Sequence, residues 1–375
     1  MTTAGKPTNA VPVLLAGRED EPGLLDETQV RHRVEAVLDA FIEAQRRSAG
    51  RRQLPTEVPH VLREFRASGG KRIRPLLCVL GWQAAGGTGD AEQVVRLAAA
   101  LEMFHAFALI HDDVMDHSEL RRGQPTVHRT QAIRFAPGRT LAAAEELGRH
   151  TAVLIGNLAL CWSDELLHTA RLTCDQSARV LPLIDEMRSE VMYGQYLDVT
   201  STSRPTADGE GSLRIVCYKT AKYTIERPLQ IGAAMAAADE PLLAALSAFA
   251  LPLGEAFQLR DDLLAVFGHA TDTGKPVLDD LREGKPTVLV AYALQHADPA
   301  QRRTLHSLLG DADLTESGAA CLRRLFTTTG AHDAIEQMIR QRHRQALAAL
   351  EKTPMPQRVR TRLRLLADQI AWRST

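Results

Sequence analysis

The 375-residue chain carries 45 lysines and arginines against 46 aspartates and glutamates, a net charge of −1, and 45% of it is hydrophobic. That balance describes an ordinary globular protein and excludes the global basic field that would draw nucleic acid, so any affinity for anions has to be local. The cysteines (Cys78, Cys161, Cys174, Cys217, Cys321) are odd in number and lack the paired short spacing of a zinc site, which points to buried thiols in a reducing compartment.

Residues 1–25 mix Pro, Gly and charge without periodicity and are expected to form a flexible tail, with a single all-helical domain over 26–375. The tail's one short apolar stretch is closed by charge, unlike a signal peptide, and no uninterrupted apolar run approaches about twenty residues. Cytoplasm is the expected location, with no membrane span. From "DETQVRHRVEAVLDAFIEAQRR" onward, apolar residues recur three and four apart, the helical period. "DAEQVVRLAAALEMFHAFALIHDDVM", "RTLAAAEELGRHTAVLIGNLALCWSDELLHTA", "LIDEMRSEVMYGQYLDVT", "SLRIVCYKTAKYTIERPLQIGAAMAAA" and "PLLAALSAFALPLGEAFQLRDDLLAVFG" continue the theme. Polar breaks at "GWQAAGGTGD", "TSTSRPTADGEG" and "GHATDTGKPVLDDLREGKPT" are expected to be loops. Alternating strand patterns are nearly absent, so the fold class is all-α. Helices apolar on nearly every face belong at its centre, and the amphipathic stretches after residue 331 at its edge.

Asp112 and Asp116 stand four apart, on one helical face, with Asp113 beside them. Asp261 and Asp262 close a second apolar stretch. One acidic pair reads most simply as a solvated helix end. Two clusters, each ending an apolar helix of the same bundle, need cations, because unneutralised carboxylates at such spacing repel and are costly to bury. Hard carboxylate oxygens suit Mg²⁺ shared with the phosphates of a substrate. Basic residues stand where a phosphate reader would want them: Lys71, Arg72 and Arg74 in "SGGKRIRP", Arg121 and Arg122 in "ELRRG", Lys219 and Lys222 in "CYKTAKYT", Lys275 and Lys285 in "TGKPVLDDLREGKPT". "GGKRIRP" lacks the P-loop spacing, which argues against a kinase or NTPase. His105 and His111 lie in a mostly apolar helix, where a lone histidine is usually a hydrogen-bonded core residue.

The ordered set "GGKRIRP", "HAFALIHDDVMDHSELRRGQPTVH", "GQYLD", "YKTAKYT" and "AFQLRDD…GKPVLDDLREGKPT" resembles the trans-isoprenyl diphosphate synthases, also called polyprenyl synthetases. The resemblance covers the chain from about residue 30 to the C terminus. It implies the isoprenoid synthase fold, a helical bundle around a deep central cavity, usually homodimeric. It also implies condensation of isopentenyl diphosphate with an allylic diphosphate, using Mg²⁺ as more than one ion bridged by the allylic diphosphate. By resemblance Asp112, Asp113 and Asp116 match the first aspartate-rich motif and Asp261 and Asp262 the second, as metal ligands. Lys71, Arg74, His105 and Arg122 match the isopentenyl diphosphate site, and Arg121, Lys219, Gln258 and Lys275 the allylic side. Gln195 and Thr220 line the pocket, while Asp198 and Asp280 match further acids of the family.

Two positions depart from the pattern: Ala265 replaces the third aspartate of the second motif, and Asn157 stands where the family usually has aspartate. A terpene cyclase is the nearest rival, but its single diphosphate would leave "GGKRIRP" and Arg122 unused. A non-catalytic subunit is the other, motivated by Ala265 and Asn157. Phe107, five positions before Asp112 with small Ala108 beside it, resembles the cavity floor of a geranylgeranyl diphosphate synthase. The main product expected is therefore the twenty-carbon one, with farnesyl diphosphate next and longer chains third. An ideal helix nevertheless turns Phe107 roughly 140° from Asp112, and Met103 and Phe104 are rival floor residues.

Overall fold

A computed structural model describes residues 25–88, 91–202, 205–268 and 278–372. The expected tail up to residue 24 and the site residue Lys275 lie outside the described residues. The described chain is almost wholly helical: α1 (Glu27–Arg51), α2 (Glu57–Ala67), α3 (Ile73–Ala84), α4 (Glu92–Met115), α5 (Val127–Phe135), α6 (Leu141–His168), α7 (Cys174–Ser201) and α8 (Gly209–Ile215). A π-helical segment, Val216–Glu226, then runs into α9 (Arg227–Met235) and α10 (Glu240–Phe267). There follow α11 (Asp279–Glu283), α12 (Val288–His296), α13 (Pro299–Leu308), α14 (Glu316–Thr328), α15 (Ala331–Lys352) and α16 (Gln357–Trp372).

Local chemistry sets many of these limits. Asp26 and Gln29 close a capping box on α1: the Gln29 N–H donates to the Asp26 carboxylate at 2.7 Å, and the Asp26 N–H to the Gln29 side chain at 3.0 Å. Thr173 and Gln176 repeat the device on α7, and Asp239 with Pro241 opens α10. Helix α4 is the central rod. Its residues from Val94 to Phe104 are buried almost without interruption, as a helix apolar all round must be. It packs against α1, α3 and α6, while α10 packs against α15 and the π-helical segment. Both α4 and α10 are long and apolar enough to cross a membrane by length and composition; in the bundle, 72% of the apolar window of α4 and 39% of that of α10 is buried.

Three expectations need correction. Helix α3 continues through Gly81 to Ala84, well into the expected loop "GWQAAGGTGD". A Cβ on Gly81 would come within 1.9 Å of the Leu229 carbonyl, so this glycine lets α3 and α9 touch backbone to backbone. Of the five cysteines only Cys78 is buried; Cys161 and Cys174 are exposed, and all five are free. A two-residue ladder, β1 (Leu120–Arg121) with β2 (Gln124–Pro125), interrupts the helical pattern. Its turn places Arg122 at φ 54° and Gly123 at φ 74°, the paired positive values of a tight hairpin turn.

Candidate active site

The C-terminal end of α4, the β1–β2 hairpin, the start of α3, α7, the π-helical segment and α10 together wall a cavity of about 750 Å³. Most of the residues expected at the site stand on its wall: Lys71, Arg74, His105, Phe107, Ala108, Asp112, Arg121, Arg122, Gln195, Lys219, Thr220, Gln258 and Asp261, whereas Asp113, Asp116 and Asp262 do not. These come from positions as far apart as 71 and 261, so the clustering is a product of the fold.

The carboxylates are held by cations. Asp112 receives Lys219 Nζ at 3.0 Å, Gln195 Nε2 at 3.2 Å and Arg121 Nη2 at 3.3 Å. Lys219 also reaches Asp198 at 2.5 Å. Asp116 accepts from Lys285 Nζ at 2.9 Å, and Lys285 also lies 3.4 Å from Asp280 and 3.2 Å from Glu283. Burial alone would lower the Lys219 ammonium, but Asp112 and Asp198 hold it well above its usual range. Lys285 is raised in the same way, chiefly by Asp280 and Asp116 against burial. Burial, then the Asp112 charge, pushes the Asp116 carboxyl up despite Lys285.

The acids expected as equal partners are not equal. Asp113 is 1% exposed and takes both Nε and Nη2 of Arg121 in a fork, with Nη2 at 2.6 Å from Oδ1, so it anchors the hairpin arginine. Asp262 is buried off the cavity wall, where it accepts from Gln258 Nε2 at 2.8 Å, and Gln258 in turn accepts from the Thr220 hydroxyl at 2.7 Å. Burial pushes the Asp262 carboxyl up to about 7. Lys222 leaves the cavity altogether and pairs with Glu190.

A second set of cations gathers around a glutamate, with Arg72 Nη1 2.8 Å from Glu102. Lys71, Arg72, Arg74 and Arg122 stand around His105 and the buried Glu102. Arg74 donates to the Thr224 hydroxyl at 2.5 Å, and its guanidinium carbon sits 4.3 Å from the centre of the Tyr223 ring. The Tyr223 hydroxyl lies 3.1 Å from His105 Nδ1. Burial, reinforced by Arg74 and Arg122, holds His105 well below the usual imidazole range and therefore neutral. Glu102, Tyr223 and Thr224 are site residues the sequence analysis overlooked. A lone acid inside the apolar run "LEMFHAF" is the available signal for Glu102; Tyr223 and Thr224 close the motif "YKTAKYT", and the π-helical turn brings them into place.

Phe107 does face the cavity, backed by Phe104 at a ring-centre separation of 5.3 Å. Beyond them a second, mostly apolar cavity of about 570 Å³ is bounded by Phe104, Leu160, Arg188, Met192 and Tyr196; Met192 lines both spaces. His111 keeps a structural contact, with Nε2 3.2 Å from the Val153 carbonyl. Ala265 is on the main wall beside Asp261, and Asn157 is exposed on α6.

The donor set fits a hard divalent cation. Asp112 and Asp261 bring carboxylate oxygens to the same cavity, with Asp116 beside them across Lys285. Among the described residues no three acids, histidines or cysteines already converge on one point. Such an arrangement suits an ion that keeps waters and takes phosphate oxygens as its remaining ligands.

The family model for polyprenyl synthetase matches residues 55–324. Geranylfarnesyl diphosphate synthase of Aeropyrum pernix is 32% identical over 310 residues, 82% of this chain and 91% of the relative. Octaprenyl diphosphate synthase of Escherichia coli is 30% identical over 291 residues, 77% and 81% of the two chains. A crystal structure of geranylgeranyl pyrophosphate synthase from Corynebacterium glutamicum, complexed with isoprenyl diphosphate and magnesium, superposes with a TM-score of 0.88 at 37% identity, over 92% of this chain and 99% of that one.

Proposed function

Because the chain belongs to the polyprenyl synthetase family, the trans-isoprenyl diphosphate synthases, we propose that it joins isopentenyl diphosphate to an allylic diphosphate in a Mg²⁺-dependent reaction whose main product has twenty carbons. The observation that carries the reading is the division of the cavity's cations into two groups: Lys219 and Lys285 pair with Asp112 and Asp116, while Arg74 and Arg122 stand with the Arg72–Glu102 pair.

In this reading Asp112, Asp116 and Asp261 hold Mg²⁺, as more than one ion, and Lys219, Arg121 and Lys275 hold the allylic diphosphate beside them. The metal supplies Lewis-acid stabilisation of the diphosphate that departs from the allylic carbon. Asp112 and Asp116 would hold the ion, and Lys219 and Lys285, already beside those carboxylates, would supply positive charge to the diphosphate before ionisation begins. Lys71, Arg74, Arg122 and neutral His105 hold isopentenyl diphosphate separately and set its alkene against the allylic carbon. Asp113 keeps Arg121 in register, and Asp262 does the same for Gln258 and Thr220. Phe107, Leu109, Val191, Met192 and Phe257 give the cationic fragment an apolar wall that keeps water away. The departed diphosphate is the base that removes the final proton.

Chain length follows from the floor. Identity near 30% to relatives named for geranylfarnesyl and octaprenyl products leaves length to local residues, and Phe107 with Phe104 behind it closes the cavity on the side of the second space. The purified chain incubated with both diphosphates and Mg²⁺ is expected to yield a twenty-carbon alcohol after product hydrolysis and chromatography. Phe107→Ala is expected to shift most product to longer chains, by opening the way past Met192. No product from the wild type in any divalent metal would overturn the enzymatic reading. A shorter or longer wild-type product would overturn only the length.

The outward faces of α6 and α7 leave Leu154, Tyr193 and Tyr196 66%, 71% and 67% exposed, an apolar surface that supports a homodimer. The five free thiols support a cytoplasmic location. The dimer is tested by sedimentation: a monomer at micromolar concentration refutes it.

A further inference from the structure

The Gly-Gly turn that presents the second cation group is braced by Arg72, which is not among the proposed substrate ligands. Arg72 lies between the substrate-facing Lys71 and Arg74, yet it is only 8% exposed, and its backbone is left-handed at φ 49°. Each of its three guanidinium nitrogens is engaged: Nε donates to Glu35 at 2.5 Å, Nη1 to Glu102 at 2.8 Å and to the Gly69 carbonyl at 3.2 Å, and Nη2 to the Arg66 carbonyl at 2.9 Å. One side chain thus ties α1, the end of α2, the glycine turn and α4 together. Arg122, from the hairpin, donates to the same Gly69 carbonyl. A Cβ on Gly70 would meet Arg72 Nη1 and Arg122 Nη2, each at 2.9 Å, and Gly70 itself sits at φ 140°. The turn is therefore gripped on both sides by guanidinium groups, with Glu102 as the buried anion among them.

We propose that Arg72 is a positioning residue for isopentenyl diphosphate: held by Glu35 and Glu102, it fixes the Gly69–Gly70 turn and, through the shared Gly69 carbonyl, the pose of Arg122. The inference rests on the assignment of Lys71, Arg74 and Arg122 to that substrate. A lysine could reach one of these four acceptors but not all, because its ammonium is a point charge and the arginine is a planar fork. In Arg72→Ala the Gly69 carbonyl keeps only Arg122 and the Arg66 carbonyl only the Gly69 N–H, while buried Glu102 loses its 2.8 Å partner.

Steady-state kinetics of the full chain, varying each substrate separately, test this with Arg72→Ala, Arg72→Lys and, as a reference, Arg74→Ala. Arg72→Ala is expected to raise KM for isopentenyl diphosphate about tenfold while the allylic KM stays within about twofold, and Arg72→Lys to fall between it and wild type. Equal rises in both KM values, or a lowered melting temperature with unchanged KM for isopentenyl diphosphate, would overturn the proposal. Should Arg72→Ala fail to fold, Arg72→Lys decides on the same KM split. An Arg74→Ala effect confined to the allylic substrate would instead refute the substrate assignment, so the two failures are told apart.

Discussion

Asp112→Ala is expected to lower kcat by about 10²–10³-fold while leaving the cooperative unfolding transition in place. The size follows from removing one preorganised electrostatic group from a site where charge develops in the transition state. Structure limits the collateral damage. Asp112 lies at the end of α4, and its carboxylate receives Lys219, Gln195 and Arg121, each of which keeps or can regain a partner: Lys219 retains Asp198 at 2.5 Å, and Arg121 retains the Asp113 fork. The stabilisation at risk is therefore about that of a partly buried ion pair, on the order of 1–3 kcal/mol. Turnover measured against Mg²⁺ concentration, with a thermal melt in parallel, checks both halves. Near wild-type kcat with metal still required would remove Asp112 from the metal site.

The second large effect is expected at Arg74. Arg74→Ala should raise KM for isopentenyl diphosphate by about 10–100-fold, the equivalent of one charge-assisted hydrogen bond at about 1.5–3 kcal/mol. It should also free the Tyr223 ring and the Thr224 hydroxyl, both of which Arg74 now holds. Some loss of kcat is expected with it, because a tilted alkene attacks less often. Varying the two substrates independently separates this from an allylic effect. A rise seen only with the allylic diphosphate would reverse the assignment of the two cation groups.

The helices were legible because their apolar residues recur at the helical period and their ends carry Asp, Thr and Pro in capping positions, as at Asp26, Thr173 and Asp239. What escaped was decided by contacts between distant segments. The stretch from Ser212 to Ala238 reads as one uniform helix, yet its middle third is π-helical. There α7 and α10 press in through glycines: a Cβ on Gly194 would lie 2.4 Å from the Lys219 nitrogen, and one on Gly254 would lie 2.4 Å from the Ala221 Cα. No local propensity announces that squeeze. The site shows the same division. Spacing places Asp112, Asp113 and Asp116 together, and all three do lie at the C-terminal end and cap of α4. Their different duties depend on Arg121, whose position is set by a hairpin turn through Arg122 and Gly123 that the helical pattern does not contain. Phe107 is a case where an ideal helical wheel misleads, because the cavity curves around the end of α4 and takes in more than one of its faces.

The π-helical segment also has a metric consequence. Lys219 and Thr220 stand at one end of a single wide turn, and Tyr223 and Thr224 at the other. The first pair serves the aspartate-rich side of the cavity, the second braces Arg74 and His105. On the proposed assignment, one turn of backbone sets the spacing of the two substrate sites, where a loop would give it slack. Lengthening or shortening that turn by a residue would spoil both grips together. The chain can therefore vary the length of its outer connections far more freely than that of these eleven residues.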